Sequence, residues 1–152
     1  MELRSAAFAD GKPIPVRHTC DGADVSPPIA WSDVDPRAKS LTLVCHDPDA
    51  PAGDWVHWVV YDVPPARTEL PEGVPPDERV QGGGTQGTND FRRLGWGGPC
   101  PPSGTHRYLF TLYAVDAETG LAPGARRSDV EAAIRGHVVA EAKLTGTFTR
   151  RS

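Results

Sequence analysis

Residues 41–63 read LTLVCHDPDAPAGDWVHWVVYDV, and the rest of the chain is interpreted from this stretch outward. It contains two apolar, β-branched runs, residues 41–45 and 56–62, and such runs are typical of strands with a half-buried surface. Pro48 and Pro51 lie between them; proline fixes φ and lacks a backbone N–H. Because proline cannot continue a sheet ladder, we predict two strands joined by a tight acidic loop.

Two polar residues stand at the ends of these strands. Asp47 ends the first strand, and His57 begins the second. Polar side chains held at a rigid turn by flanking strands are typical of a small, preformed site. A purely structural interpretation is equally open from the local sequence: Asp47 and Asp49 would cap a turn, and His57 would be a hydrogen-bonded strand residue.

Length, charge and the lack of long apolar runs limit the kinds of protein that this chain can be. A length of 152 residues suits one domain with one core, so we predict a single domain over residues 1–152. The net charge is −4, and both signs are mixed along the chain without a basic patch for nucleic acid. No apolar run is long enough to span a bilayer, and the first residues lack the apolar core of a signal peptide. We therefore expect no nucleic-acid partner and no transmembrane segment.

The cysteine content indicates the redox compartment. Cys20, Cys45 and Cys100 are an odd number of cysteines with no close pairing. This pattern favours free thiols in a reducing cytoplasm over a disulfide framework. We therefore predict three free thiols and a cytoplasmic location.

The clearest strand covers residues 106–115, HRYLFTLYAV, with apolar residues on both faces, which predicts a central strand. Because strand side chains alternate, His106 and Tyr108 share one face and Arg107 lies on the other. The preceding residues 95–104, GWGGPCPPSG, are the densest glycine and proline segment. Glycine lets backbone amides approach a ligand, and successive amides at turns can bind an anion.

One helix is predicted near residues 128–140. Ser128 and Glu131 fit the capping-box pattern, and apolar residues recur after them at helical spacing. Residues 142–149 alternate as a last strand, whereas the proline-rich residues 64–79 are interpreted as a surface excursion. Many short strands with one late helix indicate a mainly β protein, an antiparallel β-sandwich.

Several motifs together resemble the phosphatidylethanolamine-binding protein family, in its bacterial Raf-kinase-inhibitor-like branch. The motifs are CDGADVSPPIAW (20–31), DPDAP (47–51) followed by WVHWVV (55–60), GTND (87–90), GPCPPSGTHRY (98–108) and GHVVAEAKLTGTFTR (136–150). The resemblance implies a β-sandwich with a small anion pocket at one end. It also implies the pocket residues, which are Asp47, Trp55, His57, Gly98, Pro101, Pro102, His106 and Tyr108.

In this family the pocket holds phosphate-like groups, including lipid headgroups, so the resemblance implies a binding protein for a small anionic ligand. The residue types suit that use. A protonated histidine donates from both ring nitrogens, and Asp47 can orient a histidine and favour its charged form. Tyr108 can donate a hydroxyl. The resemblance further implies a homodimer and, as a family theme, modulation of a partner kinase or protease.

An enzyme is the alternative function that the sequence leaves open. Cys100 with His106, or Cys45 beside His46, could form a thiol–imidazole pair in a hydrolytic or thiol-dependent enzyme. Such a thiol needs a lowered pKa and a positioned base. Buried cysteines on strands are more often small core residues, so we expect no catalytic residue and assign no role to His46.

A metal site is a third interpretation. Cys20, His57 and His106 are candidate ligands, but no pair among them has the spacing of a metal finger. We therefore expect neither a metal nor another cofactor.

Overall fold

The computed structural model describes residues 1–150. Within this range the chain forms nine strands, one α-helix and one short 3-10 helix. In chain order they are β1 (Glu2–Arg4), β2 (Lys12–Pro13), the 3-10 helix (Val16–His18), β3 (Ile29–Ser32), β4 (Ser40–Asp47), β5 (Trp55–Val63), β6 (Glu69–Leu70), β7 (Thr85–Gln86), β8 (Gly104–Val115), α1 (Arg127–Ile134) and β9 (Val138–Arg150).

The strands form two sheets. The larger sheet has six strands in the order β2-β9-β8-β4-β5-β7, and the smaller has three in the order β1-β3-β6. Neighbouring strands are antiparallel except β2, which pairs with β9 in parallel. The predicted mainly β, sandwich-like fold with one helix is confirmed, and β8 is a central strand between β9 and β4.

Strand β5 shows how the sequence builds the layers. Trp58 and Val60 pack into the main core between the two sheets, whereas Val59 and Tyr61 pack into a second apolar cluster with Val130 of α1. All five side chains are buried. Burying such a side chain stabilises the fold by roughly 1.5–3 kcal/mol, so both faces of β5 contribute. The sheet is therefore covered on both sides around the strand that carries His57.

The helix differs in its bounds from the prediction. It begins at Arg127 with Arg126 as N-cap, and the Asp129 carboxylate accepts a hydrogen bond from the Arg126 backbone N–H at 3.1 Å. Ser128 lies inside the helix, so the predicted Ser128 capping box is wrong. Gly136 has a φ of +82°, in the left-handed region, and the chain enters β9 two residues later, earlier than predicted.

The prediction of three free thiols is also wrong. Cys20 and Cys100, 80 residues apart in sequence, form a disulfide, and Cys45 is a free, buried cysteine. The surrounding backbone brings the pair together, since the Cys20 N–H donates to the Pro99 carbonyl at 3.1 Å. Because of this disulfide, the cysteines no longer support the prediction of a cytoplasmic location, which assumed free thiols.

No helix within residues 1–150 combines the length and the apolar character needed to cross a membrane.

Candidate functional site

The site forms where the β4–β5 hairpin meets the start of β8. Asp47 and Trp55 pair across the hairpin, and β4 pairs on its other side with β8 through His46 and Leu109. Extending that antiparallel register by one residue sets Asp47 beside Tyr108, and the diagonal same-face neighbour is then His106. Cross-strand diagonal neighbours lie within reach of long side chains. Two hydrogen-bonded ladders therefore bring residues 47, 55 and 106 to one end of the sheet.

Asp47 and His106 form a nearly buried pair. Oδ2 of Asp47 lies 2.6 Å from Nδ1 of His106, and the two side chains expose only 5% and 10% of their surface. The other carboxylate oxygen of Asp47 accepts the backbone N–H of Asp49 at 2.7 Å. Because the carboxylate holds Nδ1 as the donor, it fixes the orientation of the ring. Nε2 is the ring nitrogen that stays available to a ligand.

His57 is in a different environment. Its ring is buried, and Nδ1 donates to the Gly97 carbonyl at 2.5 Å. The rings of Phe91 and Tyr108 meet it edge to face at 5.4 and 5.2 Å between centroids. Burial lowers the pKa of His57, and the Gly97 carbonyl and the Asp47 charge offset this only in part. The ring of His57 is therefore neutral near pH 7.

A cavity of about 290 Å³ opens in front of this pair of histidines. Six of the eight site residues predicted from the sequence line this cavity. They are Asp47, Trp55, His57, Pro101, Pro102 and His106. The other lining residues were not predicted from the sequence. They are Ala50, Pro51, Ala52, Phe91 and Cys100. The walls are mostly apolar, and the polar groups gather around Asp47 and the two imidazoles.

Gly98 does not line the cavity, in contrast to the expectation. Its N–H donates away from the cavity, to Oδ1 of Asp24 at 2.8 Å. A Cβ at this position would overlap Asp24 Oδ1 and the His18 carbonyl oxygen. Glycine is therefore required at residue 98 for close packing between two loops, and its amide does not face the cavity.

Tyr108 also lies outside the cavity lining. It is fully buried behind His57, and its hydroxyl has no hydrogen-bond partner among the described residues. Burial, followed by the charge of Asp47, raises the pKa of Tyr108. Tyr108 therefore supports the His57 ring from inside the core.

The cavity lining contains no arginine or lysine. Arg107 projects elsewhere and pairs with Asp49 through two hydrogen bonds of 2.9 Å, which lower the pKa of Asp49 to about 2. His46 likewise lies outside the lining, with Nδ1 2.5 Å from Oδ1 of Asp54. Positive charge inside the cavity can therefore come only from the imidazoles.

Phe91 is the most informative lining residue that sequence reasoning missed. It directly follows the GTND motif, residues 87–90, which is one of the motifs that carry the family resemblance. Oδ1 of Asn89 accepts the Phe91 N–H at 2.9 Å, and Oδ2 of Asp90 accepts the Val56 N–H at 2.7 Å. The motif thus fastens the Phe91 loop to β5 beside His57. Its position directly after the GTND motif was the available signal.

The structure weakens the thiol interpretation of the site. Cys100 lies in the cavity wall but is disulfide-bonded to Cys20. Cys45 is fully buried away from the cavity lining, and burial raises the pKa of its thiol. Neither proposed thiol–imidazole pair has a free, accessible thiolate. Across residues 1–150, no group of three His, Cys, Asp or Glu side chains is arranged to hold a metal.

Comparison with known sequences gives a consistent result over nearly the whole chain. The family model described as phosphatidylethanolamine-binding protein matches residues 4–149. A UPF0098 protein from Methanothermobacter thermautotrophicus is 52% identical over 150 residues, covering 99% of both chains. A second UPF0098 protein, from Aquifex aeolicus, is 48% identical and covers 99% of this chain and 89% of its own.

Two solved structures are similar in fold. The putative phosphatidylethanolamine-binding protein homologue CT736 from Chlamydia trachomatis superposes with a TM-score of 0.91 at 38% identity, covering 99% of this chain and 97% of that chain. E. coli YbcL, described as a member of the mammalian PEBP family, superposes with a TM-score of 0.88 at 30% identity, covering 99% and 98%. With the family model spanning residues 4–149 and relatives this similar over their full length, the chain belongs to the phosphatidylethanolamine-binding protein family.

Proposed function

We propose that the chain is a binding protein whose cavity takes a small phosphate-like or other anionic group. The observation that supports this function is the buried Asp47–His106 pair at the cavity wall, with 2.6 Å between Oδ2 and Nδ1. With Nδ1 occupied by the carboxylate, a protonated His106 offers Nε2–H to the ligand. A charge-assisted hydrogen bond of this kind is about twice as strong as a neutral one.

The distribution of charge supports a small anion rather than a polyanion. Because the lining contains no arginine or lysine and Asp47 already pairs with His106, the cavity can neutralise little negative charge. Trp55 and Phe91, whose rings meet edge to face at 5.4 Å, form an apolar wall beside it. The cavity therefore suits an anionic group with a short apolar or alkyl neighbour, as in a phosphonate or a headgroup fragment.

Further parts of the proposal rest on the family resemblance and on the sequence. From the chain length we propose one domain over residues 1–152, and from the family resemblance a homodimer and modulation of a partner kinase or protease. A cytoplasmic location stays part of the proposal, although the Cys20–Cys100 disulfide removes the support that free thiols gave to it. The thiol-dependent enzyme is not proposed, because Cys100 has no free thiol.

Calorimetric titration with inorganic phosphate and methylphosphonate tests the binding function. Asp47→Asn removes the charge that holds His106, and we expect it to weaken phosphate binding at least about tenfold, the equivalent of 1.4 kcal/mol. Asp49→Asn is the matched control, because Asp49 lies two residues away, outside the lining, and pairs with the exposed Arg107. Equal affinities for all three proteins, or no saturable binding by any, would contradict the proposal.

A further inference from the structure

The structure contains a second cavity, which is separate from the first. Its volume is about 610 Å³, and it shares no lining residue with the cavity of Asp47 and His106. Three loops enclose it, residues 23–26, 73–76 and 93–96. Ligand cavities in proteins commonly measure about 300–1,000 Å³, so the space suits a small molecule.

The walls of this second cavity are fastened by specific hydrogen bonds. Ser26 holds one wall, because its Oγ accepts the Val74 N–H and its carbonyl accepts the Gly73 N–H, both at 2.9 Å. Nε2 of Gln86 donates to the Pro75 carbonyl at 2.7 Å and so holds the same loop from the sheet. These hydrogen bonds fix the loops around the cavity, so its shape is defined by the fold.

Its floor is apolar. Trp96 is 8% exposed, and its indole N–H is already satisfied by the His18 carbonyl at 3.1 Å. The indole is stacked on Phe110 in the core at 6.0 Å between centroids, which fixes its position. Val25 and Val74 line the cavity beside it. The floor thus offers hydrocarbon and aromatic surface with no unsatisfied donor.

The two charged residues of the lining are of opposite sign and are not paired with each other. Oδ1 of Asp24 accepts the Gly98 N–H at 2.8 Å, while Oδ2 makes no hydrogen bond to any described residue. Arg93 has its guanidinium 5.7 Å from the centroid of the Phe91 ring and takes part in none of the salt bridges within residues 1–150. Burial raises the pKa of Asp24, and the Gly98 N–H and the charge of Arg93 oppose this shift.

We propose that this second cavity binds a small zwitterion of the amino-acid type. The ammonium group would pair with the free oxygen of Asp24, the carboxylate with the guanidinium of Arg93, and the side chain would lie on Trp96. A simple anion would meet Asp24 without compensation, and a simple cation would meet Arg93 in the same way. A zwitterion satisfies both, and guanidinium is well suited to bidentate recognition of a carboxylate.

The indole signal of Trp96 in a ¹H–¹⁵N NMR spectrum, assigned with Trp96→Phe, reports binding directly. The probes are L-leucine and L-phenylalanine, with leucinamide and N-acetyl-L-leucine as derivatives that each lack one charge. We expect saturable shifts with the two amino acids and at least tenfold weaker binding of both derivatives. Because these comparisons use the unmodified protein, they decide the proposal even if a variant fails to fold.

Variants then test the two charges separately. Arg93→Gln and Asp24→Asn, which keeps the Oδ1 acceptor for Gly98, are each expected to weaken leucine binding about tenfold. Arg92→Gln and Asp21→Asn are matched controls, because these neighbours lie outside the lining. The proposal is overturned by absence of a saturable Trp96 shift, by equal binding of N-acetyl-L-leucine, or by full affinity in both charge variants.

Discussion

Nδ1 of His106 lies 2.6 Å from Oδ2 of Asp47, and both side chains are almost completely buried on neighbouring strands at the cavity wall. A carboxylate in this position gives the imidazole a fixed orientation and a partner for its charge. Removing one member leaves the other without its hydrogen-bond partner, at a typical cost of about 1–3 kcal/mol. The pair therefore links ligand binding and fold stability at one place in the molecule.

Phosphate affinity should fall as pH rises from 5.5 to 8. The charged form of an imidazole is the better donor, and imidazoles lose that charge as pH rises. Calorimetry at constant ionic strength measures the effect. Sulfate is the control for the titration of phosphate itself, since sulfate keeps its charge. A sulfate affinity that does not change with pH would contradict this role of His106, and His106→Asn should give such a flat sulfate profile.

His57 should make the fold less stable in mild acid. Burial lowers the pKa of His57 in the folded state, so the unfolded chain binds more protons below the ordinary histidine pKa of about 6.5. Stability is therefore complete above that value and is lost as pH falls through the range below it. Chemical denaturation between pH 7.5 and 5 checks this. His57→Phe should show a smaller acid loss than the parent protein, and an identical slope would refute the assignment.

The Cys20–Cys100 disulfide should stabilise the fold and hold the cavity wall. Opening a crosslink between residues 80 apart typically lowers the free energy of unfolding by about 2–5 kcal/mol. We expect the double variant Cys20→Ala/Cys100→Ala to be destabilised by that amount. It should also bind phosphate more weakly, because Cys100, Pro101 and Pro102 form one wall of the cavity. Denaturation with and without a reductant provides the control: the reductant should destabilise the parent protein and leave the variant unchanged.

Gly98→Ala should destabilise the protein through packing alone. The added methyl would overlap Asp24 Oδ1 and the His18 carbonyl oxygen, and overpacking of this kind typically costs about 1–3 kcal/mol. Ser103→Ala, an exposed position in the same loop, should stay within about 0.5 kcal/mol of the parent. Urea denaturation compares the three proteins, and equal midpoints would show that the two loops around Gly98 can move apart freely.

Strand prediction was reliable where both faces of a strand carry apolar side chains. Residues 106–115 and 56–62 fall within β8 and β5, because alternation and β-branched content act locally. The helix ends were less accurate. The reciprocal contact of Arg126 and Asp129 begins the helix before Ser128, and the left-handed Gly136 ends the helical region before residue 140.

Contacts between segments that are distant in the chain could not be predicted from the sequence pattern. Nothing in the spacing of Cys20 and Cys100 indicates a disulfide, because the pairing depends on how loops from opposite ends of the chain meet. Tyr108 shows a subtler limit. Same-face residues on a strand are about 6.6–6.8 Å apart, so the face that brings His106 to the cavity sets Tyr108 one step deeper, inside the core.

The most direct test of the central claim is the ¹⁵N NMR signal of the His106 imidazole during a phosphate titration at pH 6. We predict a saturable shift of Nε2 while Nδ1 keeps the signature of a nitrogen bonded to a carboxylate, and a much weaker response in Asp47→Asn. Saturable phosphate binding that leaves the His106 signals unmoved, or no binding at all, would contradict the claim that this pair is the anion site.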